Sequence, residues 1–329
     1  MKKETNGEIE PMTMTATAAE LAAHVRGECS KVIVGQRELI DQILLVVLAG
    51  GHALVEGVPG LAKTLAVKTL AHLVQFKFQR VQCTPDLIPA DILGANVFNL
   101  ATNTFSLHKG PIFTDLLLVD EINRTPPRTQ SALLEAMEEM QVTIDGTAHA
   151  LPRNFAVFAT QNPVEFEGTY PLPEAQLDRF LMKIRITYPE GTEEAQILLK
   201  YQEGFDARSL DRAGLQPVES RAIDEARAEV KRVRVEPALN DYIVAIVRKT
   251  RQSPAVSLGA SPRAAINLMF VAKATAAIEG RDFLVPDDVK ASALPVLRHR
   301  VVLKPEADLE GLSADDVIRE TLAGVEVPK

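Results

Sequence analysis

Eight residues constrain this chain more than any others: Gly57-Val58-Pro59-Gly60-Leu61-Ala62-Lys63-Thr64. They follow an apolar run, Ala53-Leu54-Val55, and open a helix-compatible segment, Leu65-Ala66-Val67-Lys68-Thr69-Leu70-Ala71, so the local order is strand, glycine-containing loop, helix. Such a loop presents backbone N–H groups without bulk at a helix N-terminus, where the dipole already favours negative charge, and so cradles a polyphosphate. In that setting Lys63 reaches the β- and γ-phosphates as a point charge and the Thr64 hydroxyl ligates Mg²⁺. One position departs from the strict phosphate-loop pattern, since Ala62 stands where a glycine precedes the lysine. A methyl group there is expected only in ordinary right-handed backbone space.

A phosphate loop names a nucleotide, not a reaction. The second piece is Leu116-Leu117-Leu118-Val119-Asp120-Glu121, four aliphatic residues ending in two carboxylates. The run reads as a buried parallel strand whose C-terminal end emerges beside the phosphate loop, where open α/β sheets place ligands. Asp120 suits a Mg²⁺ shell, and Glu121 suits orienting a water for attack on phosphorus. A third run, Phe155 to Thr160, ends on Gln161-Asn162-Pro163, which brings Asn162 to the same sheet edge. Its amide is placed to hold the attacking water or touch the γ-phosphate, and it equally suits the start of an Asn-Pro turn.

Composition sets the bounds. At 329 residues the chain has room for roughly two domains and a sizeable core, with 46% hydrophobic and 24% charged residues as in ordinary globular proteins. A formal net charge of −8 argues against indiscriminate binding to nucleic acid or to an anionic membrane surface. Cys29 and Cys83 stand far apart, fitting a reducing compartment, and no histidine pairs at a metal-ligand spacing. With no apolar leader and no run approaching a membrane span, a cytoplasmic protein is expected.

In chain order, residues 1–15 form a polar leader and Thr17 to Cys29 a helix. Val32-Ile33-Val34 is a short extended piece leading to Gly35-Gln36. Val34 and Gln36 are candidate adenine contacts, or simply a turn between elements. Leu39 to Leu48 is an apolar helix ending at Gly50-Gly51, and Phe76 to Cys83 alternates like a strand. Residues 88–112 are too irregular for one helix and too apolar for a linker, so they form a loop or hairpin insertion. A helix from Pro127 to Glu138 precedes a hairpin over 142–151, signalled by Asp145-Gly146. Pro173 to Phe180 is a short helix and Leu181 to Ile186 a last strand. The domain boundary falls at Tyr188-Pro189, giving a core over 16–188 and an all-helical domain over 189–329, with segments near 193–202, 219–232, 237–251, 262–279 and 287–297. Ser261-Pro262-Arg263 starts one of these with a cap and a proline, which aims Arg263 from a helix start.

Taken together, the phosphate loop, Asp120-Glu121-Ile122-Asn123-Arg124, Gln130-Ser131-Ala132-Leu133-Leu134-Glu135-Ala136-Met137-Glu138, Thr160-Gln161-Asn162-Pro163 and Leu172-Pro173-Glu174-Ala175-Gln176-Leu177-Asp178-Arg179-Phe180 resemble the MoxR group of AAA+ ATPases, in the helix-2-insert clade. The match spans about residues 30–325, and Ala62 itself resembles the group's loop. The resemblance implies an α/β P-loop NTPase core with a parallel sheet in αβα layers and a small helical lid, binding ATP and Mg²⁺ between the two and at a subunit boundary of a homo-oligomeric, usually hexameric, ring. It implies that Lys63 and Thr64 bind phosphate and metal, Asp120 holds the metal, Glu121 activates water and Asn162 is the first sensor. It further implies that Arg179 is a finger reaching a neighbour's site and Arg263 the lid's sensor. The 88–112 insertion and the 142–151 hairpin resemble elements that line the pore or top of such rings. Family members resemble chaperone-like remodellers that mature or activate client enzymes with a von Willebrand factor A domain partner. Two other motors share the core: a metal-chelatase subunit, which carries similar inserted hairpins, and a nucleic-acid motor, against which the net acidity argues. A scaffold that binds ATP without turnover is at odds with Glu121, Asn162 and Arg179.

Overall fold

The computed structural model describes residues 17–162 and 168–328, so the leader at 1–15 and Pro163 of the Asn162-Pro163 pair lie outside the described residues. Two helices, α1 (Ala18–Ser30) and α2 (Arg37–Ala49), precede β1 (Ala53–Glu56). Thr17 and Glu20 form a reciprocal capping box at the start of α1, and Gly50 closes α2 in left-handed backbone space. Between them Val32 and Ile33 are buried but pair with no strand, because both N–H groups bond back to the Cys29 carbonyl.

After β1 come α3 (Lys63–Leu73), β2 (Phe78–Gln82), α4 (Pro89–Leu93) and a hairpin of β3 (Gly94–Asn99) and β4 (Thr104–Lys109). Next are β5 (Leu116–Asp120), α5 (Pro127–Glu139) and a second hairpin of β6 (Gln141–Ile144) and β7 (Thr147–Ala150). Asp145 and Gly146 both take positive φ, 47° and 79°, which matches the twist of a two-residue hairpin turn. The chain then runs through β8 (Ala156–Gln161), α6 (Glu174–Leu177) and β9 (Met182–Arg185).

Strands β2, β5, β8, β1 and β9, in that order, form one parallel sheet. Its central strands are near-continuous apolar runs because both faces are covered. Along β5, Leu116 and Leu118 point into one core while Leu117 and Val119 point into another; along β8, Ala156 and Phe158 split from Val157 and Ala159 in the same way. The first core takes α1, α2 and α3. The second takes α5 and the side of the insertion that holds Ile92.

Beyond β9 lie α7 (Gly191–Gln202), α8 (Arg221–Arg232), α9 (Pro237–Thr250), β10 (Val256–Leu258), α10 (Pro262–Ile278), α11 (Pro286–Leu297), β11 (Val302–Leu303), α12 (Pro305–Leu309) and α13 (Ala314–Ala323). This region is not helical throughout: β10 and β11 pair antiparallel, Val256 opposite Leu303. Strands of three and two residues leave no alternating run that could announce them. Leu268 and Val271 of α10 and Leu297 of α11 join the same buried cluster as Val55 and Leu118.

Candidate active site

Because β1, β5 and β8 are neighbouring parallel strands, their C-terminal ends deliver the phosphate loop, Asp120-Glu121 and Asn162 to one edge of the sheet. The junction is tight, with the Gly57 N–H bonding the Gln161 carbonyl at 3.4 Å. Helix α3 begins at Lys63 with no side-chain cap, so its first-turn N–H groups are available at the cradle. Gly60 has φ 89°, and Ala62 has φ 58° and ψ 16°. The right-handed expectation for Ala62 is therefore corrected. The backbone reverses at the helix start, and alanine bears a left-handed strain of about 1–2 kcal/mol there.

A cleft of about 370 Å³ opens beside this loop, lined by Gly60 to Leu65, by Val34 and Gln36, and by Ile197, Tyr201 and Phe205 from α7 and the turn after it. The structure thus brings Val34 and Gln36 to the phosphate loop, with Gln36 fixed by a bond from Nε2 to the Thr187 carbonyl at 3.2 Å. The apolar and aromatic part of the lining suits a base, and the N–H-rich part suits phosphates.

Lys63 Nζ donates to the Gly57 carbonyl at 2.6 Å. Burial lowers its pKa from the ordinary lysine value, while Asp120 and Glu121 are close enough to pull it back upward. The buried Asp120 accepts from Arg80 Nε at 2.6 Å and from the Thr160 hydroxyl at 3.1 Å. Glu121 takes φ 60° and ψ 50°, its N–H donates to Thr160 Oγ at 2.9 Å, and its carboxylate lies 3.1 Å from Arg124 Nε. A non-glycine residue in left-handed space marks a strained position, and here it falls directly after the last residue of β5. Asn162 is buried at the adjacent strand end.

The donor set fits Mg²⁺ carried with a nucleotide: one hydroxyl, Thr64, one carboxylate, Asp120, and phosphate oxygens for the rest, a cation that keeps its waters and needs few protein ligands. Among the described residues no cluster of three or more His, Cys, Asp or Glu forms a separate metal site. Cys29 and Cys83 are free and buried, and burial pushes their thiols up to about 12 and about 11.

Arg179 and Arg263 meet elsewhere. Arg179 Nε lies 3.0 Å from one Glu138 oxygen and Arg263 Nη2 2.5 Å from the other. The bond from Arg263 is the main cause of the lowered Glu138 pKa, with the Arg179 charge adding to it. Neither arginine lines the cleft at the phosphate loop, and neither do Asp120, Glu121 or Asn162, but the two acids, unlike the arginines, lie within charge range of Lys63. Three residues without an assigned role therefore matter to the geometry. Thr160 ties Asp120 to Glu121, Arg80 engages Asp120, and Glu138 gathers the two arginines. Thr160 and Glu138 sit inside recognisable motifs, but the partners that give them meaning are contributed by other strands and helices.

The sequence profile of the ATPase family associated with various cellular activities (AAA) matches residues 52–182, and that of the AAA lid domain matches residues 248–321. Chaperone MoxR1 of Mycobacterium tuberculosis is 41% identical over 92% of this chain and 81% of its own length. A Bacillus subtilis protein, YeaC, described as uncharacterized, is 47% identical over 91% of this chain and 92% of its own. A crystal structure of an ATPase candidate from Cytophaga hutchinsonii superposes with a TM-score of 0.84 at 42% identity, covering 95% of this chain and 98% of that one. With the sheet order, the phosphate loop, the paired acids and the lid already in place, these likenesses make the chain a member of the MoxR family of AAA+ ATPases.

Proposed function

We propose that this chain hydrolyses ATP at sites completed between copies of itself in a ring, expected to be hexameric, and uses the turnover to remodel partner proteins. The observation that carries the reading is the separation of two half-sites. Lys63, Asp120 and Glu121 sit within charge range of one another beside the cleft, while Arg179 and Arg263 form a second basic centre on Glu138. Arginines stabilise the charge of a transferred phosphoryl group from the same or a neighbouring chain, and in this reading the second centre serves the cleft of an adjoining copy.

Residues 16–188 act as the nucleotide-binding core and 189–329 as the lid. The loop from Gly57 through Val58, Pro59, Gly60, Leu61 and Ala62 wraps the phosphates, and Lys63 meets their charge. Thr64 and Asp120 would hold Mg²⁺, which when bound neutralises charge on the β- and γ-phosphoryl oxygens. Glu121 orients and polarises water, and Asn162 holds it in line. Arg179 and Arg263 stabilise the charge that develops on the transferred group. Remodelling is supported by the name of the M. tuberculosis relative, a chaperone, and by the insertion hairpin, which exposes Phe98 and Phe105 with ring centroids 5.0 Å apart. A von Willebrand factor A domain protein and a client enzyme follow from the resemblance, and a cytoplasmic location is supported by the two free cysteines. No helix among the described residues is long and apolar enough to cross a membrane.

Glu121→Gln tests the reading. The variant is expected to bind ATP as the wild type does and to turn over at least about a hundredfold more slowly, retaining its partners in affinity capture. Wild-type turnover would remove Glu121 from the reaction.

A further inference from the structure

Arg179 and Arg263 come from distant parts of the chain, one just after α6 and the other in the first turn of α10. For two guanidinium groups to act at one phosphoryl group, the elements that carry them must be fixed relative to each other, since an error of about 1 Å can cost about a hundredfold in rate. Glu138 gathers the heads of the two side chains. Their roots are joined by another carboxylate. Asp178, the residue before Arg179, accepts from Arg300 Nε at 2.6 Å through one oxygen. Through the other it accepts from the hydroxyl of Ser261, two residues before Arg263, at 3.0 Å.

Both partners are themselves well held. Ser261 is the N-cap of α10, so the hydroxyl that reaches Asp178 also accepts from the Ala264 N–H. Arg300 follows α11, is 5% exposed, and donates to the carbonyls of Asp178, Phe180 and Leu181 at 3.0, 2.5 and 3.2 Å. A guanidinium with this many fixed acceptors has little freedom, and it clamps residues 178–181 onto the helical region. The Asp178 carboxylate is thus a corner shared by the finger segment, the cap of α10 and the end of α11.

We infer that Asp178, braced by Arg300 and bonded to Ser261, is a positioning residue that aligns Arg179 and Arg263 so that a subunit lends them to its neighbour as one unit. The inference rests on the reading that both arginines act on an adjoining copy. It assigns Asp178 no contact with nucleotide. Its loss therefore damages the site next door and leaves the subunit's own phosphate loop intact.

The test is turnover in mixed assemblies of the full-length protein. Asp178→Asn alone is expected to lower kcat by about ten- to a hundredfold, with little change in KM for ATP. Co-assembly with Lys63→Ala subunits, whose arginines are intact, is expected to restore turnover, as it does for Arg179→Ala with Lys63→Ala. Recovery with Arg179→Ala but not with Asp178→Asn shows that Asp178 serves only its own subunit and overturns the inference. Recovery with neither overturns the reading of lent arginines on which it rests. Thermal melting checks the fold. Should Asp178→Asn not fold, Ser261→Ala, which keeps the Asp178–Arg300 pair, is used in the same mixtures; wild-type kcat in Ser261→Ala overturns the inference.

Discussion

Thr160 shows how much one hydroxyl can organise. It is 2% exposed, donates to Asp120 and accepts from the Glu121 N–H, so the two acidic residues, proposed to hold metal and to orient water, share one fixed reference. Thr160→Val keeps the shape and removes both bonds, leaving a part-buried N–H without its acceptor. Stability is expected to fall by about 1–3 kcal/mol, measured by denaturant unfolding, and ATP turnover by more than ATP affinity. Equal losses in both would mean that Thr160 supports binding and not alignment. His52 makes a second residue-scale case. Its Nε2–H donates to the Met137 carbonyl at 3.0 Å and its Nδ1 accepts from the Val157 N–H at 3.0 Å, so the ring is neutral, and burial lowers its pKa from 6.5 to about 4. The unfolded chain then binds more protons than the folded one between those values. The stability His52 provides is present above pH 6.5 and is lost as pH falls toward 4, about 3 kcal/mol in all. A His52→Gln variant is expected to show a flatter pH dependence of unfolding over that window; an unchanged slope would point to other groups, such as His299, whose buried ring is also held well below its ordinary value.

At the scale of elements, legibility followed local pattern. β5 and β8 were readable because burial on both faces makes them unbroken apolar runs, and the β6–β7 hairpin because Asp145-Gly146 demands a particular turn. The insertion was readable only as something irregular, because α4 and β3 have five and six residues and meet at Gly94 with no spacer. The residues of the phosphate loop and the acidic pair were readable from spacing. The left-handed Ala62 and the roles of Arg80, Thr160 and Glu138 were not, since each depends on a backbone reversal or a partner on another element. Gly94 explains the insertion's shape: its φ is 95°, and a Cβ there would collide with the His108 carbonyl and the Gly110 N–H across the ladder. Gly94→Ala is expected to loosen the hairpin, seen as faster amide exchange over 94–109, while ATP binding measured by calorimetry is unchanged. A parallel loss of ATP affinity would show that the insertion supports the cleft.

For the whole molecule, the two half-sites predict cooperation between copies. Arg179→Ala and Lys63→Ala proteins, each expected to be nearly inactive alone, should regain ATP turnover when co-assembled; no recovery in verified mixed rings would mean that Arg179 does not serve a neighbouring copy. The core described earlier carries a further consequence. Val55 in the strand that leads into the phosphate loop, Leu118 in the strand that ends at the acidic pair, Leu268 in α10 and Ile318 in α13 belong to one continuous apolar cluster. Among the described residues no seam separates this face of the sheet from the helices behind it, so scanning calorimetry of the isolated chain should record a single endotherm, and ATP engaged at one end should delay the melting of α13 at the other.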